Sequence, residues 1–138
     1  MNGWNGSELL LEEDSAVKFM MMIKAPEGAP PSAELIAAVG KLSQEMAAAG
    51  VLLQAGGLAS SANGAKVRLK GSRLTVIDGP FTEAKELIGG FAILEASSRA
   101  EAIEHGKRFM QLHADTLGSS YEGECEIREL FDSPNGKP

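Results

Sequence analysis

The most distinctive segment of this 138-residue sequence for chemistry is Asp78-Gly79-Pro80-Phe81-Thr82-Glu83-Ala84-Lys85-Glu86. Pro80 has a fixed φ and biases Gly79 toward an extended conformation, so a strand ending at Asp78 turns here and a short helical turn can begin at Thr82. A turn constrained in this way can aim the Asp78 carboxylate into a pocket, with Glu83, Lys85 and Glu86 adding charge beside it. Such equipment suits a polar small molecule, with Asp78 as the candidate acid or base. A structural alternative stays open, because Asp commonly fixes a turn by accepting nearby backbone N–H groups.

The remaining reactive residues are more dispersed. His105 and His113 stand eight positions apart on a helical segment, about 12 Å along the axis, too far to share one zinc ion directly. Surface or helix-end roles are expected for both. Cys125 alternates with Ile127 as on a strand, which predicts a small buried side chain rather than a nucleophile. It is the only cysteine, so an intramolecular disulfide is excluded, and no CxxC or Cys/His framework suggests a metal. Gly56-Gly57 forms neither a GxGxxG nor a P-loop pattern, and no cofactor is expected. The Met20-Met21-Met22 run is expected in the core and at a dimer interface. Lys66, Arg68, Lys70 and Arg73 are expected on a solvated strand face.

These residues need elements to position them. Val17 to Ile23 is apolar on both alternating faces, the pattern of a central strand covered on both sides. Ser32 can cap a helix carrying the stripe Leu35, Val39, Leu42 and Met46, stopped at Gly50. Val51 to Ala55 reads as a strand, followed by a loop from Gly56-Gly57 to Gly64. Val67 to Lys70 and Arg73 to Val76 form a hairpin through Gly71-Ser72, with positive φ at Gly71. That register opposes Lys70 to Arg73 and Arg68 to Thr75 on a wet face. Val67, Leu69, Leu74 and Val76 then share a dry face with Asp78. Gly89-Gly90 precedes a strand from Phe91 to Glu95. Ser98 and Glu101 suggest a capping box for a second helix through Ile103, Phe109 and Met110. Glu124 to Leu130 closes the order as a peripheral strand.

Two helices separated by strand pairs predict an α+β domain with a ferredoxin-like antiparallel sheet and both helices on one face. Met20, Met22, Ala92 and Leu94 are expected on the opposite face, which would be too apolar to remain wet. A homodimer packed sheet to sheet covers it. The chain has room for one ordinary domain, expected over residues 17–131. Residues 1–16 are expected to be a flexible extension and residues 132–138 a tail. A net charge of −6 disfavours nucleic acid. Without an apolar run of roughly 18 residues, no membrane association is expected, and a cytoplasmic location fits the unpaired cysteine.

The segment Asp78-Gly79-Pro80-Phe81, with Glu83, Lys85-Glu86 and Gly89-Gly90-Phe91, resembles the DGPF group of the YCII-related family. The similarity extends to Lys18 through Ile23, to Gly50-Val51-Leu52 with Gly57-Leu58, and to Glu126-Ile127-Arg128. The resemblance implies a ferredoxin-like fold assembled as a dimeric α+β barrel, of largely unassigned biochemical function. On this resemblance Asp78, Gly79, Pro80, Phe81, Glu83, Lys85 and Arg128 match as site residues. The wider superfamily implies small-molecule isomerases, lyases or dehalogenating enzymes, and the YCII branch implies a His/Asp pair. This chain departs there, since its first histidine is His105.

The leading expectation is a domain that binds a small polar or aromatic metabolite through Asp78, Gly79, Phe81, Glu83, Lys85 and Arg128. Two others stand beside it. One is a cofactor-independent isomerase or lyase with Asp78 as acid/base and Lys85 or Arg128 steadying an oxyanion. The other is a regulatory or structural dimer.

Overall fold

The computed structural model of the chain describes residues 17–28, 31–81 and 87–131. Its elements are β1 (Val17–Ala25), α1 (Ala33–Ala48), β2 (Leu52–Gly57), β3 (Ala65–Lys70), β4 (Arg73–Asp78), β5 (Leu87–Ala96), α2 (Arg99–Leu117) and β6 (Glu124–Glu129), with a 3₁₀ turn at Ser61–Asn63. Four strands form an antiparallel sheet ordered β2-β5-β1-β6, while β3 and β4 form a separate hairpin. With the hairpin set aside, this is the ferredoxin-like order, with β1 and β5 central and both helices on one face. Among the described residues the sheet is open at both edges and does not close into a barrel within one chain.

Local chemistry accounts for the helix boundaries. The Ser32 hydroxyl accepts from Leu35 N–H at 3.1 Å, capping α1. The Ser98 hydroxyl accepts from Glu101 N–H at 3.1 Å, and Glu101 reaches back to Ser97 N–H at 2.9 Å. This reciprocal arrangement satisfies backbone donors that a helix start leaves unpaired. The chain leaves α1 through Gly50 at φ 79°, a conformation that suits glycine.

Met21, Leu42, Met46, Ala92 and Leu94 form the main core between sheet and helices, and Phe19, Ala96 and Ala102 extend it. The expected division of faces changes here. Ala92 and Leu94 are buried beneath the helices, whereas Phe91 and Ile93 share the opposite face with Met20 and Met22. The register explains this, because Met20 pairs with Ile93 and Met22 with Phe91, and directly opposed residues in a sheet point to one side. Gly56 and Gly57 also differ from expectation, since they pair with Phe91 and Gly90 as strand residues rather than opening a loop.

The hairpin keeps its expected register, with Lys70 opposite Arg73 and Arg68 opposite Thr75. Gly71 and Ser72 both have positive φ, 57° and 66°, as a type I′ turn requires. The apolar side of the hairpin is not dry in the single chain. Val67, Leu69, Leu74 and Val76 are between 65% and 72% exposed, because the hairpin stands apart from the main sheet and helices.

Candidate functional site

The base of the hairpin is held by the residues around the Asp-Gly-Pro-Phe segment. Ser61 is buried; its N–H and hydroxyl both donate to the Glu27 carboxylate, at 2.5 and 2.8 Å. Phe81 N–H donates to the Ser61 hydroxyl oxygen at 3.2 Å. Gly79 N–H donates to the Gly64 carbonyl at 2.9 Å. A Cβ at Gly79 would lie 1.7 Å from the Ser61 carbonyl oxygen, so this approach requires glycine. The Gly79-Pro80 peptide is cis. The Phe81 ring lies near Gly64, and the Lys66 ammonium sits 4.4 Å from its centroid, a cation–π distance.

Gly79, Pro80 and Phe81 thus join the hairpin to the 3₁₀ turn and, through Ser61, to the chain leaving β1. Asp78 ends β4 opposite Ala65. Hairpin parity puts it on the same side as Val76 and Leu74, but in the single chain it is exposed instead of facing an enclosed pocket. Glu83 and Lys85 lie outside the described residues, as do residues 1–16 and 132–138.

Arg128 occupies a different region. It pairs with Met20 on the edge strand β6, so its side chain belongs to the sheet face turned away from the helices. From Met20 to Ala25 is about 16 Å of strand, and the hairpin base lies beyond that end. Arg128 and Asp78 are therefore not neighbours within one chain.

The open face has an apolar centre and a charged margin. Met20, Met22, Phe91 and Ile93 are half-buried on it. Gly56 lies under the Phe91 ring, where a Cβ would approach Phe91 Cε1 to 2.9 Å, so glycine allows the ring to lie against the sheet. Along one margin Lys24 Nζ meets Glu126 Oε1 at 3.1 Å and Glu124 Oε1 at 3.9 Å, while Arg128 Nη1 is 3.7 Å from Glu126 Oε2. The Lys24 hydrogen bond and charge, with a smaller contribution from Arg128, hold the Glu126 carboxyl below its ordinary value. Phe91 and Gly56 were legible only as strand and loop residues. Their proximity depends on cross-strand register.

A cavity of about 480 Å³ lies between α2 and β6, lined by Phe19, Arg99, Ile103, Cys125, Ile127 and Glu129. A neighbouring space of about 360 Å³ shares Ile103, Cys125 and Ile127 and continues past Gly106 and Met110. Asp78 lines neither space. Burial pushes the Cys125 thiol up to about 11, leaving it protonated near neutrality and a poor nucleophile. His113 is buried, with Nδ1 3.0 Å from the Phe109 carbonyl oxygen and its ring between Phe109 and Tyr121. That is a packing role. His105 Nε2 is buried and has no hydrogen-bond partner among the described residues. No described helix is long and apolar enough to cross a membrane.

No curated protein matches this sequence. The family model of the YCII-related domain matches residues 17–119, from the first residue of β1 through α2, and the ferredoxin-like order of β1, β2, β5 and β6 agrees with the fold that the sequence resemblance implied. The chain belongs to the YCII-related family.

Proposed function

We propose that this chain is a cytoplasmic, homodimeric domain of the DGPF group that binds a small polar or aromatic metabolite on the open face of its sheet. The observation carrying this reading is the Phe91 ring seated over Gly56, among Met20, Met22 and Ile93, with Arg128 on the same face. A flat apolar platform beside a cation suits an aromatic body with an anionic substituent. Arg128 is available for that contact, because its 3.7 Å approach to Glu126 is loose while Lys24 engages the same carboxylate at 3.1 Å. A second copy set against this face would exclude water and strengthen both contacts. The Asp-Gly-Pro-Phe segment supports the group assignment, and the unpaired cysteine supports a reducing compartment.

Thermal shift with small aromatic carboxylates such as benzoate and salicylate tests the site. Expected is a rise in Tm for the wild type that Phe91→Ala and Arg128→Ala abolish. Stabilisation that survives both substitutions, or none from any member of the panel, rejects the open face as the site. Asp78→Asn keeps shape while removing charge. Lost binding at unchanged Tm assigns Asp78 to the ligand, and full binding withdraws it. Turnover of a bound compound, absent in Asp78→Asn, is the result that would establish an acid/base role.

A further inference from the structure

The helix side of the sheet, opposite the open face, holds a cavity of its own. On β6, Cys125, Ile127 and Glu129 project toward the helices, since they pair with Ile23, Met21 and Phe19 of β1, and Met21 and Phe19 belong to the core beneath those helices. On α2, Arg99, Ile103, Gly106 and Met110 recur at intervals of three and four residues, which lines them along one side of a helix. Between these two rows lies the cavity of about 480 Å³, where Arg99 and Glu129 join Phe19, Ile103, Cys125 and Ile127 in the lining. Its volume falls in the range of small-molecule sites.

We propose that this cavity binds an apolar α-amino acid as its zwitterion, with Arg99 taking the carboxylate, Glu129 the ammonium group, and Phe19, Ile103 and Ile127 the side chain. The lining identifies that class. Arg99 and Glu129 are both exposed while lining the cavity, so a cation and a carboxylate stand together at its mouth. Among the described residues they pair neither with each other nor with any other side chain. Elsewhere on the domain opposite charges that meet do pair, as Arg108 with Glu45 at 2.7 Å and Lys24 with Glu126 at 3.1 Å. The rest of the lining is apolar. A ligand complementary to all of it carries an anion, a cation and an apolar group, and apolar α-amino acids are the smallest common molecules of that kind. A fatty acid would leave Glu129 unanswered, and an alkylamine would leave Arg99 so.

Neither end of the chain offers that set of groups. Residues 1–16 lead into Val17, two positions from Phe19, and supply Leu9 to Leu11 with Glu12, Glu13 and Asp14, but no Lys or Arg to meet Glu129. Residues 132–138 supply Asp132 and Lys137, but no apolar side chain larger than proline. A free amino acid brings all three groups at once. The site is also distinct from the open face, because Arg128 and Met20 form a pair on the other side of the same strands.

Isothermal titration calorimetry of the full chain provides the test, with L-leucine and two analogues that each lack one charged group: isocaproate, without the amine, and isoamylamine, without the carboxylate. Expected is saturable binding of leucine, with each analogue about tenfold weaker or more. Arg99→Gln should weaken leucine to the level of isoamylamine, and Glu129→Gln should weaken it to the level of isocaproate. Both side chains are exposed, so the core stays intact and circular dichroism is expected to be unchanged. Phe91→Ala, on the open face, should leave leucine binding as it is. No leucine binding up to about 10 mM, analogues that match leucine in the wild type, or an affinity indifferent to either charge change overturns the site. Loss of leucine binding in Phe91→Ala overturns it as well, by moving the ligand to the open face. Failure of benzoate and salicylate to bind rejects only the open-face reading.

Discussion

Gly79 illustrates how a conspicuous residue pattern can have a structural cause. Its missing Cβ admits the Ser61 carbonyl, and Phe81 N–H completes the junction through the Ser61 hydroxyl. Asp78 takes no part in this junction and is exposed at the end of β4. At the opposite end of the reactivity scale is Cys125. Burial raises its pKa from 9.0 to about 11, which lowers the thiolate fraction at pH 8 about a hundredfold. Alkylation by iodoacetamide at pH 8 should therefore be about a hundred times slower in the native protein than in urea. Comparable native and unfolded rates would contradict a buried thiol. The direction of linkage follows from the raised value. The contribution of Cys125 to stability is complete below pH 9.0 and is lost as pH rises toward about 11.

At the scale of elements, the hairpin and main sheet depend on different interactions. The sheet is fixed by the buried faces of β1 and β5 beneath two capped helices. The hairpin depends on its I′ turn and the Gly79-Ser61-Glu27 junction. Gly79→Ala forces the junction apart and should cost about 1–3 kcal/mol. The loss should appear as faster amide exchange in β3 and β4, with smaller changes in β1 and β5. Equal acceleration in both sheets would show that the hairpin is not a separately anchored unit. The turn, its register and both helix caps were legible because each depends on residues close in sequence. The strand role of Gly56-Gly57 was not, because it depends on pairing with Phe91 and Gly90.

For the whole molecule, the described residues leave two apolar surfaces incompletely buried: the half-buried open face around Met20, Met22, Phe91 and Ile93, and the exposed side of the hairpin. A homodimer is expected by light scattering at micromolar concentration. Met22→Glu places a charge at the centre of the open face and should shift the mass toward monomer. It is also expected to leave the helix-side core of Met21, Leu42 and Leu94 intact. A monomeric wild type would exclude the sheet-to-sheet arrangement, while a dimer indifferent to Met22→Glu would place the interface elsewhere.

The amino-acid sequence by itself determined the order of elements, the α+β class and the hairpin register, since hydrophobic period, caps and turn residues act over a few positions. It also carried the family through the Asp78 segment. Tertiary structure alone decided that Phe91 and Ile93, rather than Ala92 and Leu94, share a face with Met20 and Met22. Both pairs are apolar, so composition could not assign their sides, and only the β1-β5 register chose between them. The separation of Arg128 from Asp78 has the same origin. Their positions follow from which strands pair and where the hairpin is anchored, long-range choices that local residue types do not encode.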